Sequence, residues 1–322
     1  MSYLTKGRFF GIMKRQPTCT FYTMLYIKNQ NFNENAAENG YVTIPGYINC
    51  CKVLHNSLEK IGFKLIVLTN QPDVIIKQES GLNVKNVDFK SNIPENVRFF
   101  SAHHKIEVFN FLSLYGDEYS ILLDSDVVCV NNIPENMEKI IQEKIPIYYD
   151  VTDQVYPAYG RIKVIDDKSL IMGKKSLGNW AGGELIGGSR EFFETIYNNC
   201  MNYWDKYFDN INKLHHQGDE MLTSCSIEKY ILDKNIIFNA GSIGFIGRYW
   251  SIKTLHVGKV FEAYIDNFLL HLPADKEYLA KYSSENNFID DYKIYLYKRN
   301  KDKKKNRMIK MIKNIIKKIL RK

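Results

Sequence analysis

A chain of 322 residues with 45% hydrophobic side chains can pack one large domain or two smaller ones, which excludes a disordered polypeptide. Its net charge of +8 is unevenly placed: residues 298–322 carry thirteen basic side chains and one acidic, a net of +12, leaving −4 for residues 1–297. The body is mildly acidic, the excess positive charge sits in the tail, and no window of eighteen uncharged apolar residues supports a membrane span or a secretory leader.

In chain order, Thr18 to Lys28 is rich in β-branched and aromatic residues and is predicted as a buried strand. Pro45 to Ile61 repeats apolar residues at helical spacing (Tyr47, Cys51, Leu54, Leu58), with Gly62 placed to end the helix. A strand over Phe63 to Leu68, a short helix around Val74 to Lys77 and a strand near Val84 to Phe89 follow. His103 to Tyr115 is helical by pattern and leads into a strand ending at Asp124. Next come a helix over Pro134 to Lys144 and a strand over Ile145 to Tyr149. Thr152 to Gly178 shows no convincing period and is expected to be a long lid or binding loop. The Gly-rich strand Trp180 to Gly188, a helix from Ser189 to Tyr207, a helix from Gly218 to about Leu232, and short apolar segments at Ile236 to Phe238 and Phe268 to Leu270 complete the body. Alternation of strands and helices with short connections predicts an α/β fold with a mostly parallel, twisted sheet covered on both faces. The six cysteines lack C-x-x-C spacing and read as buried free thiols of a reducing, cytoplasmic compartment, not as a zinc site.

Four constellations carry chemistry. In YSILLDSDVVCV, Asp124 and Asp126 stand inside an apolar run, and buried carboxylates need a compensating cation, for which a divalent metal is the economical candidate. In extended backbone, residues i and i+2 share a side, so the pair can aim at one point while Ser125 turns away; a capped turn is the competing reading. The glycines of NWAGGELIGGS allow a ligand or another backbone to approach. HQGDE places Asp219 and Glu220 at a helix start, which helix polarity alone also favours. In FLLHLPADK, an apolar strand ends in His271, with Lys276 five positions on: an imidazole can ligate a divalent ion and a lysine can neutralise phosphate oxygens.

The order of these motifs resembles that of GT-A-fold, metal-dependent nucleotide-sugar glycosyltransferases, over about Thr18 to Lys276. The Gly-rich strand and HQGDE are similar to the retaining blood-group-type transferases. The closing His and Lys are closer to the retaining bacterial lipooligosaccharide and glycogenin-type enzymes, although the spacing between them is one residue shorter and WAGGE replaces the usual Asn-Gly-rich wording. The resemblance implies a Rossmann-like GT-A catalytic domain over residues 1–297 and a Mn2+ or Mg2+ cofactor held by Asp124, Asp126 and His271, with His256 as a rival ligand. It implies that Asp124 also touches the donor ribose, that Lys276 meets the diphosphate and Lys105 the donor, and that Gly182 and Gly183 line the donor sugar. Asp219 and Glu220 would face the reacting carbon or the acceptor. The implied reaction is transfer of a hexose from a nucleotide-diphosphate sugar, UDP foremost, to a glycan or glycolipid, with retention ahead of inversion.

Residues 298–322 read as a basic tail. Met308, Met311, Ile312, Ile315, Ile316 and Ile319 fall on one helical face and lysines on the other, the pattern of a helix lying on an anionic membrane surface. A partner-binding helix and a nucleic-acid-binding tail compete, but phosphate binding alone needs no apolar stripe, so no nucleic acid is expected. Two other functions stand against the transferase: a sugar-nucleotide pyrophosphorylase, which would need a Gly-, Arg- and Lys-bearing loop after the first strand that Ile27 to Asn39 lacks, and a non-catalytic binder acting through the tail.

Overall fold

The computed structural model describes residues 19–28, 43–284 and 287–301; the basic tail from 302 on, with its apolar stripe, lies outside them. The chain enters at β1 (Thr20–Met24), which pairs in parallel with β2 (Lys64–Thr69), and β2 pairs in parallel with the short β3 (Val84–Asn86). Between β1 and β2 runs α1 (Ile44–Glu59), capped by Thr43, whose hydroxyl accepts from the Gly46 N–H at 3.4 Å, and burying Ile48, Cys51, Leu54 and Leu58 at helical spacing. After α2 (Pro72–Gln78), the expected helix over 103–115 is present as α3 (Phe100–His103) and α4 (Lys105–Tyr115). It leads into β4 (Ser120–Leu123), which lies beside β1 in parallel, Thr20 opposite Ser120.

The chain then turns at Asp124 to Asp126 and re-emerges as β5 (Val127–Cys129), a strand of a different sheet. α5 (Glu135–Gln142) and β6 (Ile147–Asp150) follow. Where a long loop is expected, the structure has α6 (Thr152–Tyr159) and α7 (Arg161–Met172), separated at Gly160, whose φ of 84° is open to glycine. Sequence pattern misses α7 because its buried face, Val164, Asp167, Lys168, Ile171 and Met172, has the helical period but carries two charges. Only residues 173–180 remain irregular there.

β7 (Ala181–Gly188) is the Gly-rich strand, and it runs antiparallel to both β4 and β6, with Leu122 opposite Ile186. α8 (Arg190–Asn210) and α9 (Asp219–Leu232) pack on each other, α9 also against β7. β8 (Phe238–Asn239) closes the large sheet in parallel with β6. Its order is β3-β2-β1-β4-β7-β6-β8, an α/β sheet with parallel pairing except along the reversed β7, flanked by helices and compatible with a Rossmann-like fold.

A second, three-stranded sheet is made by β5, β10 (Leu269–His271) and β9 (Ile246–Arg248), in the order β5-β10-β9. β9 is absent from the sequence-predicted elements. This sheet has its own small core (Val128, Leu270, Leu272, Leu279, Phe288, Tyr292), onto which α10 (Lys276–Lys281) and the helical residues 288–301 dock. That last helix runs through the expected boundary at 297, and Arg299 Nη1 bonds back to Asp275 Oδ1 at 2.6 Å. No described helix is long and apolar enough to cross a membrane. All six cysteines are free and buried.

Candidate metal and nucleotide site

The small sheet exists where the large one stops, and it gathers the site. β10 pairs antiparallel with β5, placing His271 opposite Val127, one residue past Asp126; β9 pairs in parallel with β10, placing Arg248 opposite His271. Leu272 N donates to Asp126 O at 3.0 Å, extending the ladder to the acidic turn. Asp124 follows β4, and its N–H donates to Glu184 O of β7 at 3.2 Å. The two carboxylates therefore converge through a turn locked between two sheets, not through the side-sharing of one extended strand.

Asp124, Asp126 and His271 each present a ligand atom within 4.8 Å of the others. His271 Nε2 is 3.3 Å from Asp126 Oδ1 and 4.0 Å from Asp124 Oδ2. Metal–ligand bonds of about 2.1 Å place neighbouring ligands roughly 3–4.2 Å apart, so this donor set fits a small divalent ion. His256, the rival ligand, is elsewhere, stacked on Trp250.

Protein cations already meet the acids, which departs from expectation. The Lys105 ammonium donates to Asp124 Oδ1 and Gly183 O, both at 2.8 Å, and lies 2.9 Å from Asp219 Oδ2 as an ion pair without hydrogen-bond geometry. The Lys276 ammonium is paired with Asp126 Oδ2. Arg248, absent from the predicted site, forks onto both oxygens of Glu184 and reaches Glu220 Oε1 at 2.9 Å. Glu184 also lies 3.2 Å from His271 Nδ1, within ion-pair range but without hydrogen-bond geometry. Glu220 is held further by Trp180 Nε1–H at 2.8 Å and Gly183 N–H at 3.1 Å.

These contacts set the charges. Burial alone would raise the Asp126 carboxyl, but Lys276 and His271 hold it well below the usual carboxylate range. Asp124 is raised by burial and by Asp126, against Lys105 and His271. Burial would lower His271, yet Asp126 and Glu184 raise it to about 9, so an incoming metal must displace a proton. Glu220, despite burial, is brought down to about 2, chiefly by Arg248. Among the described residues, with His271 neutral, the carboxylates of Asp124, Asp126, Glu184, Asp219 and Glu220 face the fixed cations Lys105, Arg248 and Lys276. That deficit of two positive charges is one a divalent ion would close.

The structure thus brings together Asp124, Asp126, His271, Lys105, Lys276, Asp219 and Glu220. Gly183 joins them: a Cβ there would lie 3.1 Å from Asp219 Oδ2 and 3.2 Å from Lys105 Nζ. Gly182 serves a different purpose, since its Cβ would strike Glu184 and Arg248; its missing side chain admits that ion pair. Glu184 and Arg248 were legible by the rule that singled out Asp126, because each is a charge set in an apolar or glycine run, GGELIGG and FIGRYW. No model of a known protein family matches the chain, and no curated protein is significantly similar to it.

Proposed function

We propose that the protein is a GT-A-type, metal-dependent glycosyltransferase that moves a hexose from a nucleotide-diphosphate sugar, UDP foremost, to a glycan or glycolipid. The observation that carries this reading is the convergence of Asp124, Asp126 and His271 beyond the carboxyl end of β4, where open α/β sheets bind nucleotides. A Mn2+ or Mg2+ ion held by those three residues would supply Lewis acidity, offsetting the charge that develops on a diphosphate leaving group.

The chain's own residues divide the remaining work. Lys276, 26% exposed at its side chain, donates to Asp126 and, at 3.4 Å, to Pro273 O, which leaves one N–H for a phosphate oxygen while Asp126 stays ionised. Lys105, buried and bonded to Asp124 and Gly183 O, orients Asp124 against Asp219 and is a positioning residue in this reading. Glu220 accepts bonds at both oxygens and has a carboxyl near 2, so it is too weak a base to deprotonate an acceptor hydroxyl. A fixed carboxylate of that kind suits electrostatic stabilisation of the oxocarbenium-like transition state, which favours retention over base-assisted inversion through Glu220. The basic tail would hold the enzyme against an anionic membrane surface, near a lipid-linked acceptor.

Calorimetry with UDP, with and without Mn2+, tests the reading. Metal-dependent binding is expected in the wild type, and Asp126→Ala should weaken it by on the order of 100-fold or more. A folded wild type that binds no nucleotide in the presence of Mn2+ overturns the proposal.

A further inference from the structure

Tyr159, at the end of α6, is the hub of a half-buried aromatic patch beside Glu220. Its ring lies 4.9 Å from that of His215 and 5.8 Å from that of His256. His215 is 4.8 Å from Trp180, whose indole N–H donates to Glu220, and His256 stacks on Trp250 at 5.4 Å with 6° between the planes. Trp250 and His256 belong to residues 249–260, a segment without helix or strand that follows Arg248. The patch therefore runs continuously from Glu220 to the loop that leaves Arg248.

Four buried polar atoms in it have no hydrogen-bond partner among the described residues: Gln154 Oε1, His215 Nε2, Trp250 Nε1 and His256 Nδ1. Gln154 is 3% exposed and the His215 side chain also 3%. Unpaired buried polar groups are rare in folded proteins, and here they fall on residues gathered around Tyr159, with the His256 ring near the Gln154 backbone. Their chemistry is mixed. Trp250 Nε1–H is a donor and Gln154 Oε1 an acceptor, while His215, whose Nδ1 donates to Asp167 Oδ2 at 2.7 Å, offers Nε2 as an acceptor. Burial lowers both His215, against Asp167, and His256, which favours the uncharged rings. Aromatic faces ringed by unpaired donors and acceptors match a sugar ring, whose C–H face stacks and whose hydroxyls both donate and accept. An alkyl chain would leave the four atoms unpaired.

We propose that this patch is a subsite for a neutral hexopyranose, the acceptor of the transfer, stacked on Tyr159 and Trp250 and presented to the Glu220 side of the site. The word acceptor rests on the proposed function; sugar binding itself does not. Because the four atoms are covered, Trp250 and His256 part from Tyr159 to admit the sugar and close again around it.

Saturation-transfer NMR on the full chain with methyl α- and β-hexopyranosides, without metal or nucleotide, tests it. Ring-proton signals are expected from the wild type. Tyr159→Ala and Trp250→Ala should lose them while circular dichroism and Mn2+-dependent UDP binding persist. Trp250→Phe, which keeps a stacking face and removes the N–H, should weaken binding about 10-fold, and Gln154→Leu by a similar factor. Silence from every pyranoside with folded wild type, or undiminished signals in Tyr159→Ala, overturns the proposal. So does a patch that responds only to a UDP-hexose, since that makes it part of the donor site. Pyranoside binding in a protein that ignores UDP and Mn2+ sustains the subsite and overturns only the transferase reading.

Discussion

Glu228 and Asp126 are both carboxylates buried beside a lysine, but their surroundings differ. Glu228 Oε2 accepts from Ser176 Oγ at 2.7 Å and pairs with Lys168 Nζ at 2.6 Å, and its Oε1 accepts from Leu177 N–H at 2.6 Å. Lys168 also donates to Asn179 O. One positive and one negative charge, exposed at 0% and 1%, satisfy each other and pin residues 176–179 between α7 and α9. Around Asp126, among the described residues, the acids outnumber the fixed cations, His271 Nδ1 and Asp219 Oδ2 lack hydrogen-bond geometry, and the Asp124 side chain remains 32% exposed. A closed, neutral pair is a fastener; an acid-rich cluster with one edge open to solvent is arranged to receive a cation.

Breaking the fastener should give the largest effect on folding. Glu228→Ala strands the Lys168 ammonium and is expected to lower the unfolding free energy by about 3–5 kcal/mol, read from urea midpoints. The double variant Lys168→Met/Glu228→Leu should regain most of that loss, because apolar residues of similar size replace a buried pair with little penalty. Neither change should alter Mn2+-dependent UDP affinity of the folded fraction; a large loss of affinity would mean that the two charge groups are coupled.

The site should respond in function before stability. Arg248→Lys removes the fork onto Glu184 and the contact with Glu220, and is expected to slow transfer about 10-fold with little change in the KM for donor. An unchanged kcat in steady-state kinetics would reduce Arg248 to scaffolding.

The smallest effect concerns pH. His216, packed between Phe99 and Trp180, is lowered by burial from 6.5 to about 4, against Glu220 and Asp219, which raise it, and with His215 and His103, which lower it further. A depressed folded-state value means that the unfolded chain binds the proton first. The contribution is therefore complete above 6.5 and is lost as pH falls through 4. Glu220 acts likewise between its ordinary 4.5 and about 2. Unfolding free energy should thus decline on acidification through both windows, and His216→Gln should flatten the curve between 6.5 and 4 while leaving the lower window intact. Equal slopes in the two proteins would show that His216 carries none of the dependence.

Periodicity and local chemistry settled much of this protein from sequence alone. Helical spacing in α1, the run of β-branched residues in β1 and the glycine-rich β7 are local signals, and each element formed within a few residues of its expected bounds. The acids of DSD and the histidine of FLLHLP were legible too, since a charge in an apolar run needs a reason wherever it occurs. What only the tertiary structure decided was which residues meet. The pairing of β5 with β10 joins Asp126 to His271 across more than a hundred residues, and β9 brings in Arg248, whose charge stands out in its local run but whose partners there do not. The reversal of β7 and the helix α7, whose inner face hides Asp167 and Lys168, belong with these. Strand pairing and ion pairing are satisfied at long range, so the sequence marks which groups need partners while the fold determines which partners they find.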